Sequence, residues 1–462
     1  MRNVLSCVPA AVAGVPAGVT DIERSALGNL LALRAVLTAE EIPFLLIRSE
    51  RDEPALAIDQ RYRPRVDALV SAAAGPGTVD IEFWHHRADG LLGPRPNALT
   101  RERIPAEDLQ RTRIRRFGYD WDTLRGMFDV HAGDVDFDID VVFSWVDAAD
   151  PARNALRSEA ISEVLLGEGD AAPARVRQID ELRYALRSVY ANAPWVRRIF
   201  IATDCTPPAW LDEHPQVTIV RAAEHFSDRS RLPTFNSHAV ESQLHHIPGL
   251  SEHFIYANDD MFFGRPMRPT MFFTSGGISK FIESPVRIGT GTRAVRRSGY
   301  ENAARNNRQL LRNRFGQLIT RHLEHTPAPL RRSVLFELEG VFADDFARTQ
   351  ASRFRSSTDI SVTNSLYHYY ALLSGRAVQH ETARARYVDT TTREGLDQLV
   401  GLGIRRDADF FCLNDGSFPE IEETHRTARV RNFLQHYFPE PGPWERVELR
   451  SPGDDRAEPV AV

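Results

Sequence analysis

His253-Phe254-Ile255-Tyr256-Ala257-Asn258-Asp259-Asp260 is the stretch on which the fold turns. A short apolar run rich in β-forming side chains ends abruptly in an amide and two adjacent carboxylates, and reads as a strand. Apolar strands that end in acids suit a parallel sheet, whose ligands bind beyond the carboxyl ends of its strands. Two neighbouring carboxylates repel unless a cation or a cationic side chain sits between them. The tip therefore reads either as a site for Mg²⁺ holding a pyrophosphate or as a solvated turn.

The same pattern repeats upstream. Asp140 to Val146 is a strand ending at Asp147, Arg198 to Thr203 is a second ending at Asp204, and Val217 to Val220 is a third. Between them, Asp180 can cap a helix with Leu182, Leu186, Val189 and Tyr190 on its apolar face, stopped by Pro194. Ser237 to His246 is a helix closed by Pro248-Gly249. Downstream, the spacing predicts helices over Asn302–Leu323 and Thr363–Leu373, and a strand Phe410–Leu413 running into Asn414-Asp415. Strands separated by helices give the fold class: α/β, a mostly parallel, Rossmann-like sheet flanked by helices. Residues 1–135 read as a small N-terminal α/β accessory region. It has a helix over Asp21–Glu41, strands at Pro43–Ile47 and Val79–Phe83, and a Pro/Gly-rich loop from Gly90 to Pro105. Residues 136–425 form the catalytic domain, and 426–462 a C-terminal segment whose tail from Ser451 is polar and disordered.

Bulk properties exclude several classes. The 462 residues carry 57 basic and 63 acidic side chains, a net charge of −6, which argues against nucleic acid as a partner. No apolar run reaches 18 residues, so no transmembrane segment is expected. Met1–Thr20 is apolar, but Pro9 and Pro16 interrupt it and no clean cleavage site follows, so it does not read as a signal peptide. Cys7, Cys205 and Cys412 are too far apart for a disulfide framework or zinc spacing, which fits a reduced cytoplasmic setting. Lys280 is the only lysine. A GC-rich genome would explain that bias, and so would bidentate phosphate recognition by arginine.

The candidate chemistry lies at the strand ends: Asp147, Asp204, Asp259, Asp260 and Asp415. An isolated aspartate there ordinarily makes a turn or a helix cap. The segment from Arg293 to Arg332 holds ten arginines and two acids, Glu301 and Glu324, and reads as a face for an anionic donor or as an exposed helix face. Within it, His325 stands beside Pro327 and Pro329, in a stiff non-helical segment that suits a positioned acid or base or a satisfied structural imidazole. Arg353 and Arg355 could clamp phosphate or pair with surface acids.

These residues resemble the Stealth family of sugar-phosphate transferases. The likeness begins at Asp140-Val141-Val142-Phe143-Ser144-Trp145-Val146-Asp147. It continues through Asp180–Ser188, Ala193–Arg197, Thr203-Asp204, Pro208–Leu211, Leu232–Glu241 and Ile247–Leu250 to Phe254–Asp260. Arg321–Pro329 around His325, Arg355 ahead of Ser356-Ser357-Thr358-Asp359, and Cys412-Leu413-Asn414-Asp415 complete it, so the likeness covers about 138–416. One departure is Ala148, where members commonly have glycine. The resemblance implies a nucleotide-sugar-binding domain that moves a hexose-1-phosphate, commonly N-acetylglucosamine-1-phosphate from UDP-GlcNAc, onto a sugar hydroxyl of a glycan, releasing UMP. It implies a divalent metal, Mg²⁺ or Mn²⁺, for which Asp259, Asp260 and Asp415 are the candidate ligands, unless Asp260 or Asp415 activates the hydroxyl instead. It carries catalytic importance onto Asp260, His325, Arg355 and Asp415. Trp145, Asp147, Asp204, Asn236, His238 and Asn258 become substrate-binding candidates. The partners implied are a nucleotide-sugar donor and a carbohydrate or polysaccharide acceptor, in capsule or exopolysaccharide synthesis at the inner face of a bacterial membrane; a homo-oligomer is left open. A glycosyltransferase that moves the sugar alone and releases UDP, and a non-catalytic glycan-binding protein, are the competing readings.

Overall fold

The computed structural model describes residues 137–161, 179–416 and 419–446 throughout, with separate segments between 2 and 135. In the N-terminal part, β1 (Arg2–Ser6), β2 (Phe44–Arg48), β3 (Pro54–Ile58) and β4 (Asp80–Trp84) pair antiparallel in the order β2-β3-β1-β4, and β5 (Arg111–Arg116) pairs with β6 (Tyr119–Leu124). The two strands expected there are β2 and β4. The helix expected over Asp21–Glu41 lies almost entirely outside the described residues, as do the loop Gly90–Pro105, Cys7 and the tail from Ser451.

The central sheet is built from β7 (Ile139–Ser144), β8 (Ile199–Ala202), β9 (Val217–Val220) and β10 (His253–Asn258), all parallel, with β15 (Ala328–Arg331) antiparallel at one edge. The order is β15-β10-β7-β8-β9, so the sheet is mostly parallel as expected. An edge is the place that tolerates proline, and Pro329 pairs there with Ile255. The pleat sends alternate side chains into two cores. Val141 and Phe143 face one with Ile199, Ile201 and Ile255; Val142 faces the other with Phe200, Phe254 and Tyr256. Each such fully buried aliphatic or aromatic side chain contributes about 1.5–3 kcal/mol.

The first core is covered by α2 (Glu181–Asn192), which follows α1 (Pro151–Ile161), and by the sheet of β11 (Met261–Phe263), β18 (Phe410–Asn414) and β17 (Ala385–Asp389) with helix α9 (Arg393–Arg405). Two short helices, α3 (Ala222–His225) and α4 (Ser237–Glu241), lie between β9 and β10 in sequence. The second core is covered by α5 (Gly299–Phe315), α6 (Arg332–Val341), α7 (Ala343–Ala351), and a π-helical turn Val362–Leu366 that runs into α8 (Tyr367–Leu373). Paired strands β12 (Ser279–Phe281) with β16 (Ala377–Gln379), and β13 (Glu283–Arg287) with β14 (Arg321–Leu323), complete the unit.

Four local expectations are corrected. Asp180 does not cap α2: it sits at φ 61° and makes no capping bond, while the Ile179 N–H donates to Glu181 Oε2 at 2.9 Å. Tyr190 is exposed, off the buried face. The helix expected to reach Leu323 stops at Phe315, because Gly316 takes φ 71° and closes it; Leu318 points to solvent and His322 is on β14. The Ser237–His246 helix is shorter, ending at Glu241 and resuming as a 3₁₀ turn at Leu244–His246. Apart from these, α10 (Glu423–Tyr437) packs Val430, Leu434 and Tyr437 into the first core with Phe411. Glu445 then binds Arg183 and Arg187 of α2, which ties the end of the described chain to that helix.

Candidate active site

Register sets the site. Ser144 lies level with Ala202 and Asn258, so the residues that follow, Trp145, Thr203-Asp204 and Asp259-Asp260, emerge together at the carboxyl edge of the sheet. The antiparallel pair Tyr256↔Ala328, continued three residues, brings 325 across from 259. Met261 pairs with Cys412 and the Leu413 N–H donates to the Asp260 carbonyl at 3.0 Å, which brings Asp415 to the same edge. A cavity of about 390 Å³ opens there, lined by Trp145, Asp204, Asn236, Asn258, Asp259, Asp260, Arg355 and Asp415 among others.

The carboxylates are crowded. Burial, and then the neighbouring charges of Asp260, Glu181 and Asp415, push the Asp259 carboxyl well above the usual range. Asp260 Oδ1 is buried without a hydrogen-bond partner, and His325 Nε2 stands 3.8 Å from it. Its other oxygen, Oδ2, accepts from the Cys412 thiol at 3.3 Å. Burial and then Asp260 push that thiol well up, so Cys412 remains a hydrogen-bond donor rather than a thiolate ligand. Asp415 is held by Thr390 Oγ1 at 2.6 Å, with buried Arg426 Nη1 3.9 Å away. Among the described residues, Asp260, His325 and Cys412 bring ligand atoms within 4.8 Å of one another. The expected trio Asp259, Asp260 and Asp415 shares the cavity lining instead. A hard cation with oxygen ligands fits this donor set, since it would satisfy the bare Asp260 oxygen and the crowded acids at once.

Arg355 is carried on a loop clamped from below. Asn236 Nδ2 donates to the Ser352 and Phe354 carbonyls at 3.1 and 3.3 Å and to Asp359 Oδ2 at 2.8 Å. Arg355 Nη2 donates to Ser237 Oγ at 3.0 Å. Gly299 lets this chain pass: a Cβ there would lie 2.9 Å from the Arg355 side chain. Asn236 also caps α4 through the His238 N–H.

Other expected residues have structural partners. Asp147 closes its own turn by accepting from the Ala149 N–H, and is not in the lining. His238 is buried 3.7 Å from Asp359, away from the cavity. Asp204 lines it but accepts from the Ala222 N–H at the start of α3, as strand-end acids commonly do. Asn258 Oδ1 accepts from the Tyr256 hydroxyl at 2.7 Å. Ala148, in place of glycine, sits in a turn with no left-handed residue, so the substitution costs nothing there. None of the arginines from 293 to 332 lines the cavity; Arg305 and Arg308 bind carbonyls of the 289–291 loop instead. Among the charged lining residues with no place among the candidates are Glu181, Arg153 and Arg157. Glu181 looks like any first-turn acid, and only the left-handed Asp180 before it, unreadable in sequence, aims it inward. The two arginines stand four apart with no acid between, which puts them on one helix face but does not say which way that face points.

The chain is similar to several known proteins. Stealth protein conserved regions 2, 3 and 4 match residues 175–281, 324–372 and 402–452. An exopolysaccharide phosphotransferase of Nocardia farcinica is 58% identical over 96% of this chain and 91% of its own length. The exopolysaccharide phosphotransferase CpsY of Mycobacterium tuberculosis is 52% identical over 94% and 91%. Among solved structures, galactosyltransferase LgtC with donor and acceptor sugar analogs aligns over 64% of this chain at 10% identity and a TM-score of 0.33.

Proposed function

The chain belongs to the Stealth family, and from that premise we propose that it transfers a hexose-1-phosphate from a nucleotide-sugar to a hydroxyl of a glycan acceptor. UDP-GlcNAc is the donor and UMP the leaving group in this reading, and the acceptor is a growing exopolysaccharide at the cytoplasmic side of the membrane. Among the described residues no helix is long and apolar enough to cross a membrane. The observation that best supports the reading is the meeting of Asp259, Asp260, Asp415 and Arg355 in one cavity, with His325 3.8 Å from Asp260.

The contacts support the following roles. The acceptor hydroxyl attacks the phosphorus next to the sugar; the new O–P bond forms as the bond to the bridging oxygen breaks, and UMP leaves with that oxygen. His325 takes the hydroxyl proton, and Asp260 orients the imidazole and stabilises the imidazolium. Arg355 meets the charge that grows on the phosphoryl oxygens through a two-pronged hydrogen bond. Its loop is fixed by Asn236, so little reorganisation is needed as that charge develops. Mg²⁺ or Mn²⁺, held by Asp260 with Asp259 and Asp415, would neutralise the pyrophosphate when bound.

Mass spectrometry of the products from purified protein, a panel of nucleotide-sugars, Mg²⁺ and a sugar acceptor tests this reading. UMP and an acceptor heavier by a hexose phosphate is the expected result. UDP and an acceptor heavier by the sugar alone would make the protein a glycosyltransferase.

A further inference from the structure

Helix α1 turns the wrong face inward for an ordinary surface helix. Leu156 is 51% exposed, whereas Arg153 and Arg157 are half-buried and line the cavity. Four residues apart, the two arginines share one face, and like charges at that spacing weaken a helix. Partly desolvated guanidiniums also need a counter-charge. Among the described residues neither makes a close ion pair with a carboxylate, although the charge of Asp150 at the helix start reaches Arg153. Asp150 sets the helix start by accepting from the Arg153 N–H at 3.0 Å, which orients the face.

Arg153 is also prepared as a receptor. Its guanidinium lies over the Phe235 ring, 5.1 Å from the centre, and Phe235 stacks on Phe354 beside Arg355. A guanidinium laid over a ring keeps its N–H fork in plane and available. One prong reaches the Thr234 carbonyl at a long 3.5 Å. The same cavity thus carries acids suited to a cation and an arginine face suited to an anion. A cation-bound diphosphate offers both.

We infer that Arg153 and Arg157 bind a phosphate of the donor's diphosphate, making α1 the donor-anchoring element of the site. This rests on the transferase reading for the donor's identity; its test does not.

The test is calorimetric titration of the full chain with magnesium pyrophosphate. Arg153→Ala/Arg157→Ala is expected to weaken binding about ten- to a hundredfold, as loss of charge-assisted, forked hydrogen bonds does. Arg153→Lys/Arg157→Lys keeps the charge without the fork and is expected to fall between. It also serves if the alanine pair does not fold, as judged by its thermal midpoint. Arg405→Ala, on the exposed side of α9, is expected to bind as the wild type does. Wild-type affinity in the substituted pairs overturns the inference, as does a wild-type chain that binds no pyrophosphate. Product analysis keeps the two ideas apart. Release of UDP with weakened binding in the variants would leave the arginine assignment standing and remove the phosphotransferase. Release of UMP with unchanged binding would do the reverse.

Discussion

Two clusters in this molecule share the same chemistry and differ in how well it is satisfied. In one, His245 Nε2 and His246 Nε2 both lie 2.9 Å from Glu339 Oε2, and the edges of both rings meet Phe336. In the other, His325 stands 3.8 Å from an Asp260 oxygen that has no hydrogen-bond partner. Burial opposes the Glu339 charge, but hydrogen bonds from His245 and His246 overcome it and hold the carboxyl down at about 2. In the first cluster the carboxylate oxygen is engaged twice and ties the turn before β10 to α6, with only the buried His245 Nδ1 left bare. The second is left short of partners where a cavity opens, and it is the one with something to gain from a ligand. Residue types alone do not separate a structural cluster from a reactive one; whether the carboxylate is engaged or bare at the edge of a cavity does.

The comparison breaks most directly at Asp260. Asp260→Asn is expected to lower turnover at least about a thousandfold with a thermal midpoint equal to or above the wild type's, because it relieves the crowding around Asp259. Normal turnover in steady-state assays would remove Asp260 from the reaction. His325→Ala comes next, with a loss of about a hundredfold or more and loss of the acidic limb of the pH–rate profile. A drop that is the same at every pH would mean positioning, not proton transfer.

Glu339→Ala should show the opposite behaviour: stability lower by about 1–3 kcal/mol from unpaired imidazole N–H groups, read by denaturant titration, with turnover per folded molecule unchanged. The native carboxyl is depressed, so its contribution is present above the unfolded value near 4.5 and is lost as pH falls toward about 2. The smallest effect is at His368, buried in the second core, where burial pushes the imidazole down to about 3. The unfolded state takes up this proton near 6.5 and the folded state does not, so stability falls as pH drops below 6.5, by up to about 1.4 kcal/mol per pH unit. His368→Phe should flatten that slope in melts between pH 7 and 5 without touching turnover. An unchanged slope would assign it to the other imidazoles that burial depresses, His225, His245, His253, His322 and His380.

Local pattern alone determined the strands that carry the site. Val141 to Phe143, Ile199 to Ile201 and Phe254 to Ala257 are apolar throughout because a parallel sheet is covered on both faces, and their acidic ends mark its carboxyl edge. The motif likeness singled out Asp260, His325, Arg355 and Asp415, and three of these four line the cavity while the fourth adjoins Asp260. Tertiary structure decided the rest, because it depends on partners distant in the chain. Asn236 reads as a ligand-facing amide, yet its donors are taken by carbonyls more than a hundred residues away. Asp147 closes its own turn and His238 is buried 3.7 Å from Asp359 outside the cavity lining, while Asp204 both lines the cavity and holds a helix start. Arg153 and Arg157 look like solvent-facing helix charges, and only the packing of α1 against 234–235 turns them inward. A sequence shows which groups a chain owns and where its strands end; which of those groups are left with unmet hydrogen bonds and charges is settled only when every neighbour is in place.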